Sequence, residues 1–586
     1  MVNLRRPLLW ILLLSFPFYF LDIGRPSLSD NEAIYSETPR EMRLTGDWIT
    51  PHINGARHFD KPPLLYWLTG LSQSFLGETE VAARLCPALA SWATILIVGL
   101  LGGTLYGARA GWLSALVFAS CLGPYIFSRM AQPDSLLRFF VALVMLSYLK
   151  VWMEGSGGSR LWLWVLCISL GLAGLSKGIL GIGLPAGIIG LHAILSRRLK
   201  GFFSWRTAAG TALVALILLP WHVSMAKANP DFFGYYVIHE HILRFTGQRY
   251  PMDECLSLPI FLGLTLIWTL PWLPLLPHAL TGAFHRLKSP TWRKERDLLP
   301  VLWISVVLGL FIASRSRLEY YALPAIPAFA LLMGKFLSGL LQGGNQVFSR
   351  SITIALVSGC AILGFSAVAA YEILGPSNQI LFNRFATWWP ASGWAGFSDQ
   401  LAVLEQIRLP AVLVLAGAAV FTLAAAISLR LSRPGLAFCI LTGMMAPIFI
   451  LVHWGFLVME PFQSGRQVAD ILKSLGPNEV IVCQEPREYK WLSGINFYTR
   501  QMVYVLKDPQ FDDNSSHRRE PAERFLNPEQ FQQLWKSGKK VALVLEDADK
   551  KPAGILLQDG RVHVVARVGS RAVVANEPSA ASVTGG

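Results

Sequence analysis

Charged side chains are scarce in this sequence. Only 15% of its 586 residues are Asp, Glu, Lys or Arg, whereas an ordinary soluble domain carries about 25%. Hydrophobic residues make up 53%, and they fall in blocks of roughly 17 to 25, the length that a helix needs to cross a bilayer. The low charge content therefore excludes an ordinary soluble enzyme and indicates a polytopic α-helical membrane protein.

Cysteine pairs at metal-binding spacing are also lacking, because none of the seven cysteines forms a CxxC pair and most lie inside apolar blocks. This spacing supports neither a zinc knuckle nor a disulfide framework, and free thiols are expected. The cysteines are Cys86, Cys121, Cys167, Cys255, Cys360, Cys439 and Cys483. The net charge of +14 comes mainly from short loops, where topology signals and lipid headgroups account for it. We therefore expect membrane lipids, and no nucleic acid, as partners.

A small-residue cleavage site is lacking after the first apolar run, which extends from Pro7 to Ile23. The chain continues Gly24-Arg25-Pro26, so we expect an uncleaved first membrane helix. The apolar runs predict about thirteen membrane helices. These are expected near 7–23, 82–106, 109–128, 134–153, 161–177, 179–196, 207–226, 257–283, 299–314, 322–341, 352–374, 410–431 and 436–457.

Loop charges predict the orientation of these helices. Alternate loops are rich in Arg and Lys, which places the N-terminus in the cytoplasm and everything after Leu457 outside. The outer loops nevertheless keep several basic residues, and anion binding is the expected reason. The outer loop 24–80 also holds two amphipathic stretches, Ala33–Leu44 and Leu64–Leu76, that are expected on the membrane surface.

The composition after Val458 is that of a soluble domain. We predict a transmembrane domain over 1–460, a small α/β domain over 461–576 and a disordered tail over 577–586. Strands are expected at Val480–Gln484, Met502–Leu506, Val541–Leu545 and Val562–Val568, and helices at Ser464–Leu475 and Pro528–Ser537.

Two groups of acidic residues mark the outer boundary. Asp30 and Glu32 lie two positions apart, which suits general base or metal chemistry, although the spacing alone favours capping of a surface helix. Asp134 follows Gln132-Pro133. It is either a simple N-cap or a functional acid at a membrane boundary.

Basic and aromatic residues occupy two further outer segments. His241 and Arg244 are one helical turn apart; the histidine is either a metal ligand or a structural residue. Arg317 and Tyr321 could hold a phosphate through paired arginine donors, or anchor the chain at the interface. Acids and arginines on one face beside lipid favour a site for a phosphate-bearing lipid.

Several of these segments resemble the lipid A aminoarabinose transferase family, which belongs to the GT-C class of glycosyltransferases together with the protein O-mannosyltransferases. The resemblance rests on motifs found in the same order in this chain. They are Asn31 to Glu37, Arg40-Glu41-Met42, Gly46-Asp47-Trp48, Asn54-Gly55, Phe59 to Leu64, Gln132-Pro133-Asp134, Glu240 to Phe245 and Tyr321 to Pro324.

The resemblance implies a GT-C fold with an outer periplasmic domain in the bacterial inner membrane. It also implies transfer of a sugar, with inversion, from a polyprenyl-phosphate donor to lipid A or another envelope acceptor. The family pattern has Asp-Glu where this chain has Asn31-Glu32. The catalytic carboxylate is therefore expected at Asp30, with Glu32 as the alternative.

The resemblance further implies individual roles for outer residues. Lys61, Arg244 and Tyr321 match donor-phosphate positions, and Tyr35, Arg40 and Arg317 are expected in the same substrate-binding set. Asp60 and His241 are expected to hold one divalent metal ion.

Two rival functions fit parts of the pattern. A protein O-mannosyltransferase would place sugar on secreted protein and leave lipids unchanged. A lipid or solute transporter would instead need charges at the bilayer midplane and repeat-related broken helices, whereas the acids of this chain lie at the outer boundary.

Overall fold

The computed structural model describes most of the chain. The described residues are 4–153, 160–197, 199, 204–249, 255–292, 296–343, 350–374, 403–477, 479–485, 490–507, 520–546 and 562–578. The predicted disordered tail 577–586 lies almost wholly outside these ranges.

Apolar helices form the larger part of the molecule. In chain order they are Arg5–Phe20, Glu80–Tyr106, Ala108–Ser120, Leu122–Ser128, Asp134–Tyr148, Arg160–Lys177, Ile179–Leu195, Trp205–Ala228, Leu258–Ile267, Leu276–Leu287, Leu298–Ala313, Ile326–Gln342, Arg350–Ile373, Arg408–Arg430, Pro434–Gly443 and Met445–Val458. Among the described residues, seven helical segments are long and apolar enough to cross a membrane, or eight if one bent pair counts as a single span. The chain is therefore a multi-pass membrane protein, and the count of thirteen spans stays a prediction.

Two of the predicted single helices are interrupted. The run 109–128 bends by 58° between Ala108–Ser120 and Leu122–Ser128. The run 257–283 is divided between Leu258–Ile267 and Leu276–Leu287, because prolines at 271, 274 and 277 remove backbone donors.

Backbone groups at the two breaks hydrogen-bond to each other. Leu122 N–H donates to the Leu270 carbonyl at 3.1 Å, and Gly123 N–H donates to the Trp268 carbonyl at 3.1 Å. A side chain at Gly123 would place its Cβ 2.7 Å from the Trp268 Cβ. Only glycine permits this close approach, which pairs backbone groups that would otherwise lack partners in an apolar environment.

The loop 24–80 is an ordered layer on the predicted outer side of the membrane, which is called the outer side throughout. Its elements are the helix Asp30–Thr45, the hairpin strands His52–Ile53 and Ala56–Arg57, and the helix Leu64–Leu76. The second helix has the predicted bounds. The first begins at a capping box, in which Ser29 and Glu32 satisfy each other's backbone donors.

The segment between Trp205–Ala228 and Leu258–Ile267 is a second ordered outer layer. Wide helical turns run over Gly234–Leu243 and continue as the short α-helix Arg244–Thr246. Gly247 follows in the left-handed region, with φ of 72°, and ends the helix there.

The C-terminal domain is built on a mixed sheet of six strands. In chain order these are Val480–Gln484, Tyr504–Leu506, Phe525–Leu526, Val541–Glu546, His563–Val568 and Arg571–Ala575. Across the sheet, Phe525–Leu526 lies at one edge and His563–Val568 at the other. The helices are Glu460–Gln463, Arg466–Ser474, Lys490–Thr499 and Pro528–Lys536.

The four predicted strands and both predicted helices of this domain are confirmed within two residues. Lys490–Thr499, Phe525–Leu526 and Arg571–Ala575 were not predicted. The last of these forms a hairpin with the strand before it, and the two-residue turn Gly569-Ser570 between them is the sequence signal that could have revealed it.

Candidate active site

Five ionic side chains from the two outer layers form one group, here called the charge cluster: Asp60, Lys61, Glu240, Arg244 and Arg249. Glu240 lies at its centre and is 1% exposed. The Glu240 carboxylate is 2.6 Å from Arg249 Nη2, 3.0 Å from Arg244 Nη1 and 3.7 Å from Lys61 Nζ. Arg249 Nη2 also lies 4.0 Å from Asp60 Oδ2, so this arginine bridges the two acids.

The carboxyl groups of Glu240 and Asp60 are both ionised, because nearby positive charges lower their pKa values. Burial raises the pKa of Glu240, but Arg249, His239, Lys61 and Arg244 outweigh burial and hold it well below its ordinary value. Burial likewise raises the pKa of Asp60, while His58 and the neighbouring cations lower it below its ordinary value. Three cations then face two carboxylates, so the charge cluster carries an excess of positive charge.

Tyr35 extends from the helix Asp30–Thr45 toward this cluster. Its ring stacks on that of Tyr66 with centroids 5.9 Å apart. Burial raises the pKa of Tyr35 well above its ordinary value, and the charges of Asp134 and Asp60 raise it further. The phenol therefore stays protonated at neutral pH and can donate a hydrogen bond to an anion.

A second polar group lies beside Tyr35. Asp134 begins the helix Asp134–Tyr148, and its carboxylate accepts from Lys177 Nζ. Lys177 Nζ also lies 5.1 Å from the ring centroids of both Tyr320 and Tyr321. Asp134 and Tyr321 are thus joined through a lysine that ends the helix Arg160–Lys177.

His241 lies beside the turn at Gly178, which directly follows Lys177 in the chain. The His241 Nδ1–H donates to the Tyr236 carbonyl at 2.6 Å. A Cβ added to Gly178, which follows Lys177, would lie 2.0 Å from Tyr236 Oη and 3.3 Å from His241 Nε2. Burial lowers the pKa of His241, and Lys61 lowers it further, so the ring is neutral at pH 7.

Glu32 has structural partners. Its carboxylate lies 2.7 Å from Arg84 Nε and accepts from Ala131 N–H at 2.9 Å. It therefore ties the start of the helix Asp30–Thr45 to the loop that precedes Asp134.

Asp30, Arg40 and Arg317 contact groups other than the charge cluster. Asp30 pairs with Arg571 of the C-terminal domain. Arg40 forms a buried two-point pair with Glu37 at 2.6 Å. Arg317 Nε donates to the Leu256 carbonyl at 3.1 Å and joins two outer segments.

The predicted metal pair is not part of a larger ligand group. The described part of the chain contains no group of three or more His, Cys, Asp or Glu side chains that could hold a metal ion. Asp60 faces the Arg249 guanidinium at 4.0 Å and the His58 ring at 3.7 Å, so a fixed positive charge already lies beside its carboxylate. These surroundings do not fit a metal ion, and we derive no catalytic step through one.

Glu240, Arg249 and Lys177 were not among the predicted site residues. Glu240 and Arg249 belong to a loop whose fold the sequence does not specify. Lys177 could have been found from its position, because a lone charge at the outer end of an apolar run is often functional.

Residues 29–236 match the protein family described as dolichyl-phosphate-mannose-protein mannosyltransferase. The undecaprenyl phosphate-alpha-4-amino-4-deoxy-L-arabinose arabinosyl transferase of Pseudomonas aeruginosa is 31% identical over 417 residues, which cover 69% of this chain and 72% of that protein. The enzyme with the same description from Aeromonas hydrophila is 31% identical over 378 residues, covering 63% and 67% respectively.

Two solved structures share the fold over almost the whole chain. ArnT from Cupriavidus metallidurans bound to undecaprenyl phosphate has a TM-score of 0.77 and 22% identity, and the match covers 99% of both chains. Its apo state has a TM-score of 0.76 and 23% identity, and the match covers 99% of this chain and 98% of that one.

Proposed function

This chain belongs to the family of undecaprenyl phosphate-aminoarabinose transferases, glycosyltransferases of the GT-C class, and from that premise we propose that it transfers a sugar from undecaprenyl phosphate to lipid A. The names of its relatives support the donor. The observation that carries the proposal is the charge cluster, which has an excess positive charge on the face that the loop charges predict to be the outer one.

The donor phosphate binds at Lys61 and Arg244 in this proposal. Both side chains are 18% exposed, so each keeps a surface that a ligand can reach. As the bond between sugar and phosphate breaks, negative charge develops on the phosphate, and these cations stabilise it. Tyr35 donates a hydrogen bond to the same group, while Arg249 and Glu240 hold the two loops together.

The acceptor is an anion rather than a hydroxyl. A hydroxyl needs a base to remove its proton, but Asp60 and Glu240 have pKa values below their ordinary values and are weak bases. The Asp134 carboxylate is paired with Lys177, so it is not a free base either. A lipid A phosphate is already ionised at neutral pH and can attack C1 of the sugar without losing a proton. This favours lipid A over a protein hydroxyl as the acceptor.

The remaining predicted residues have supporting roles in this mechanism. Asp134 orients the acceptor through Lys177 and Tyr321, and Glu32 holds the loop before Asp134. Arg40 and Arg317 stabilise the outer layers from which the site is built.

The enzyme spans the inner membrane thirteen times, with a cytoplasmic N-terminus, and residues 461–576 form a periplasmic domain. The loop charges support this arrangement. The donor's lipid tail then lies between helices open to the bilayer, and the sugar is transferred at the outer face.

Mass spectrometry of lipid A from cells with and without the gene tests the proposed reaction. We expect a sugar-sized mass on lipid A that is lost with the gene and restored by the intact gene. If lipid A were unchanged and secreted proteins lost sugar instead, the protein glycosylation alternative would replace this proposal. If no glycoconjugate changed, the assignment of both substrates would be wrong.

The donor site is tested with the purified enzyme. Lys61→Met should raise the KM for the undecaprenyl-phosphate sugar by about tenfold or more, because a charge-assisted contact to phosphate is lost. Lys227→Met is the matched control, since Lys227 is an exposed lysine near the end of the helix Trp205–Ala228 and is not part of the charge cluster. An equal KM for both variants would exclude Lys61 from the phosphate site.

A further inference from the structure

The C-terminal domain shares a hydrophobic core with the outer loop of the membrane part. Ile34 and Ile53 pack in one cluster with Trp491, Ile495 and Val503 of the domain. The contact is close enough that a Cβ at Gly494 would lie 3.7 Å from the Ala33 Cβ. The domain is therefore packed against the helix Asp30–Thr45.

The hairpin of the outer loop provides a second, polar contact. Asn54 is fully buried, and its side-chain amide donates to the Val503 carbonyl at 2.9 Å. Its side-chain oxygen accepts from Val503 N–H and from Asn496 Nδ2, both at 3.0 Å. Three hydrogen bonds thus join the tip of the hairpin to the C-terminal domain.

An ion pair completes the contact at the start of the helix. Arg571, in the last strand of the domain, pairs with Asp30, the first residue of the helix. The Arg571 side chain is only 4% exposed, and its guanidinium lies 5.7 Å from the Trp491 ring centroid. Its Nε and Nη1 atoms are buried and have no hydrogen-bond partner among the described residues. Asp30 is therefore the carboxylate that compensates this buried charge.

The helix Asp30–Thr45 presents two faces to different parts of the molecule. Residues four apart share a face, so Asp30 and Ile34 lie toward the C-terminal domain. Asn31 and Tyr35 lie together on the neighbouring face, where burial and the charges of Asp134 and Asp60 raise the pKa of Tyr35. A rotation or shift of the helix start would therefore move Tyr35 relative to the charge cluster.

We infer that Arg571 is a positioning residue of the active site. Through Asp30 it fixes the rotation of the helix Asp30–Thr45 and with it the placement of Tyr35 beside the bound donor. The C-terminal domain is thereby part of the catalytic unit. This inference rests on the proposed transfer reaction, and it assigns Asp30 to positioning rather than to proton transfer.

A charge-reversal experiment tests the inference with the full-length enzyme in lipid nanodiscs. The variants are Arg571→Met, Asp30→Asn and the reversed pair Asp30→Arg with Arg571→Asp. We expect each single change to lower kcat for sugar transfer by about 10- to 100-fold, because small misplacements of a contact residue have effects of that size. The KM for the donor should change less than threefold, since Lys61 and Arg244 remain in place. The reversed pair should have a kcat clearly above that of both single variants, because the ion pair is restored.

The control is Arg567→Met. Arg567 is exposed on the adjoining edge strand and pairs in register with Ala572, and its replacement should leave kcat unchanged. If Asp30 were instead the catalytic base, Asp30→Asn would abolish transfer, Arg571→Met would not, and the reversed pair would be inactive. Either that pattern or an Arg571→Met variant that matches the control overturns the inference.

Amide hydrogen exchange tests the positioning role of Arg571 independently of the proposed reaction. Arg571→Met should increase amide exchange in residues 30–37 at least threefold, and Arg567→Met should not, whichever substrate the enzyme uses. A wild-type enzyme that transfers no sugar to lipid A would refute the proposed function alone. Unchanged exchange in Arg571→Met would refute the positioning inference alone.

Discussion

At the scale of single residues, Glu41 shows how burial changes the behaviour of an acid. Its carboxylate accepts from Asn54 N–H at 2.5 Å and from Gly55 N–H at 3.0 Å. Burial, followed by the charge of Glu37, raises the pKa of Glu41 to about 8, although Arg40 acts in the opposite direction. Asn54 also binds the C-terminal domain, so Glu41 lies directly beside the contact between the two parts of the molecule.

The raised pKa predicts that stability falls with rising pH. Between pH 4.5, the ordinary pKa of Glu, and about pH 8, folded Glu41 keeps a proton that the unfolded chain has released. The free energy of unfolding therefore decreases by up to about 1.4 kcal/mol per pH unit across that window. Thermal unfolding of wild type and Glu41→Gln should show this slope as a difference between the two curves.

The difference curve removes the acids that titrate alike in both proteins; Glu37, whose pKa burial raises and which interacts with Glu41, contributes to the difference together with Glu41. Asp60 and Glu240 have lowered pKa values, and their effect, which lies at lower pH and has the opposite sign, is common to both proteins. Glu405→Gln is the control, because Glu405 is exposed and its replacement should leave the slope unchanged. A Glu41→Gln curve parallel to that of wild type would mean that Glu41 is ionised throughout.

At the scale of elements, the sequence predicts regular segments better than their interruptions. The amphipathic pattern of Leu64–Leu76 and the short apolar run Val480–Gln484 are local, so both elements could be predicted. The prolines at 271, 274 and 277 mark the break near Pro271 in the sequence, but its backbone pairing with Gly123, about 150 residues away, is not revealed by an apolar run.

The turn at Gly178 yields a prediction at this scale. Its φ is +61°, and an added Cβ would lie 2.0 Å from Tyr236 Oη. Gly178→Ala should destabilise the protein by about 2 kcal/mol or more, through backbone strain and overpacking. It should also lower sugar transfer, because Lys177 and His241 flank this turn. Thermal unfolding and the transfer assay measure the two effects.

A glycine in the next helical turn provides the comparison. A Cβ at Gly183 would have no atom within 4 Å, so Gly183→Ala should change stability by less than about 1 kcal/mol, and in the stabilising direction. Equal effects of the two substitutions would show that the close contact with Tyr236 has no energetic consequence.

At the scale of the whole molecule, the motifs predict which segments meet but not how their charges pair. Lys61, Arg244 and Tyr35 were expected in one site, and the structure places them around Glu240 and Asp134. The pair between Asp30 and Arg571 joins residues at opposite ends of the chain. Neither residue has a local pattern that indicates its partner, so this contact could be found only in the folded structure.

The orientation of the molecule gives the last prediction. If the basic loops lie inside, the sites around Lys61, Arg244 and Lys177 all face the periplasm together with the C-terminal domain. Alkaline phosphatase, which is active only outside the cytoplasm, should then be active when fused after Gly586 and inactive when fused after Arg197. The opposite pattern would place the charge cluster in the cytoplasm. The donor phosphate and the lipid A acceptor would then have to meet at the inner face, and the proposed reaction at the periplasmic surface would be wrong even if the cluster binds phosphate.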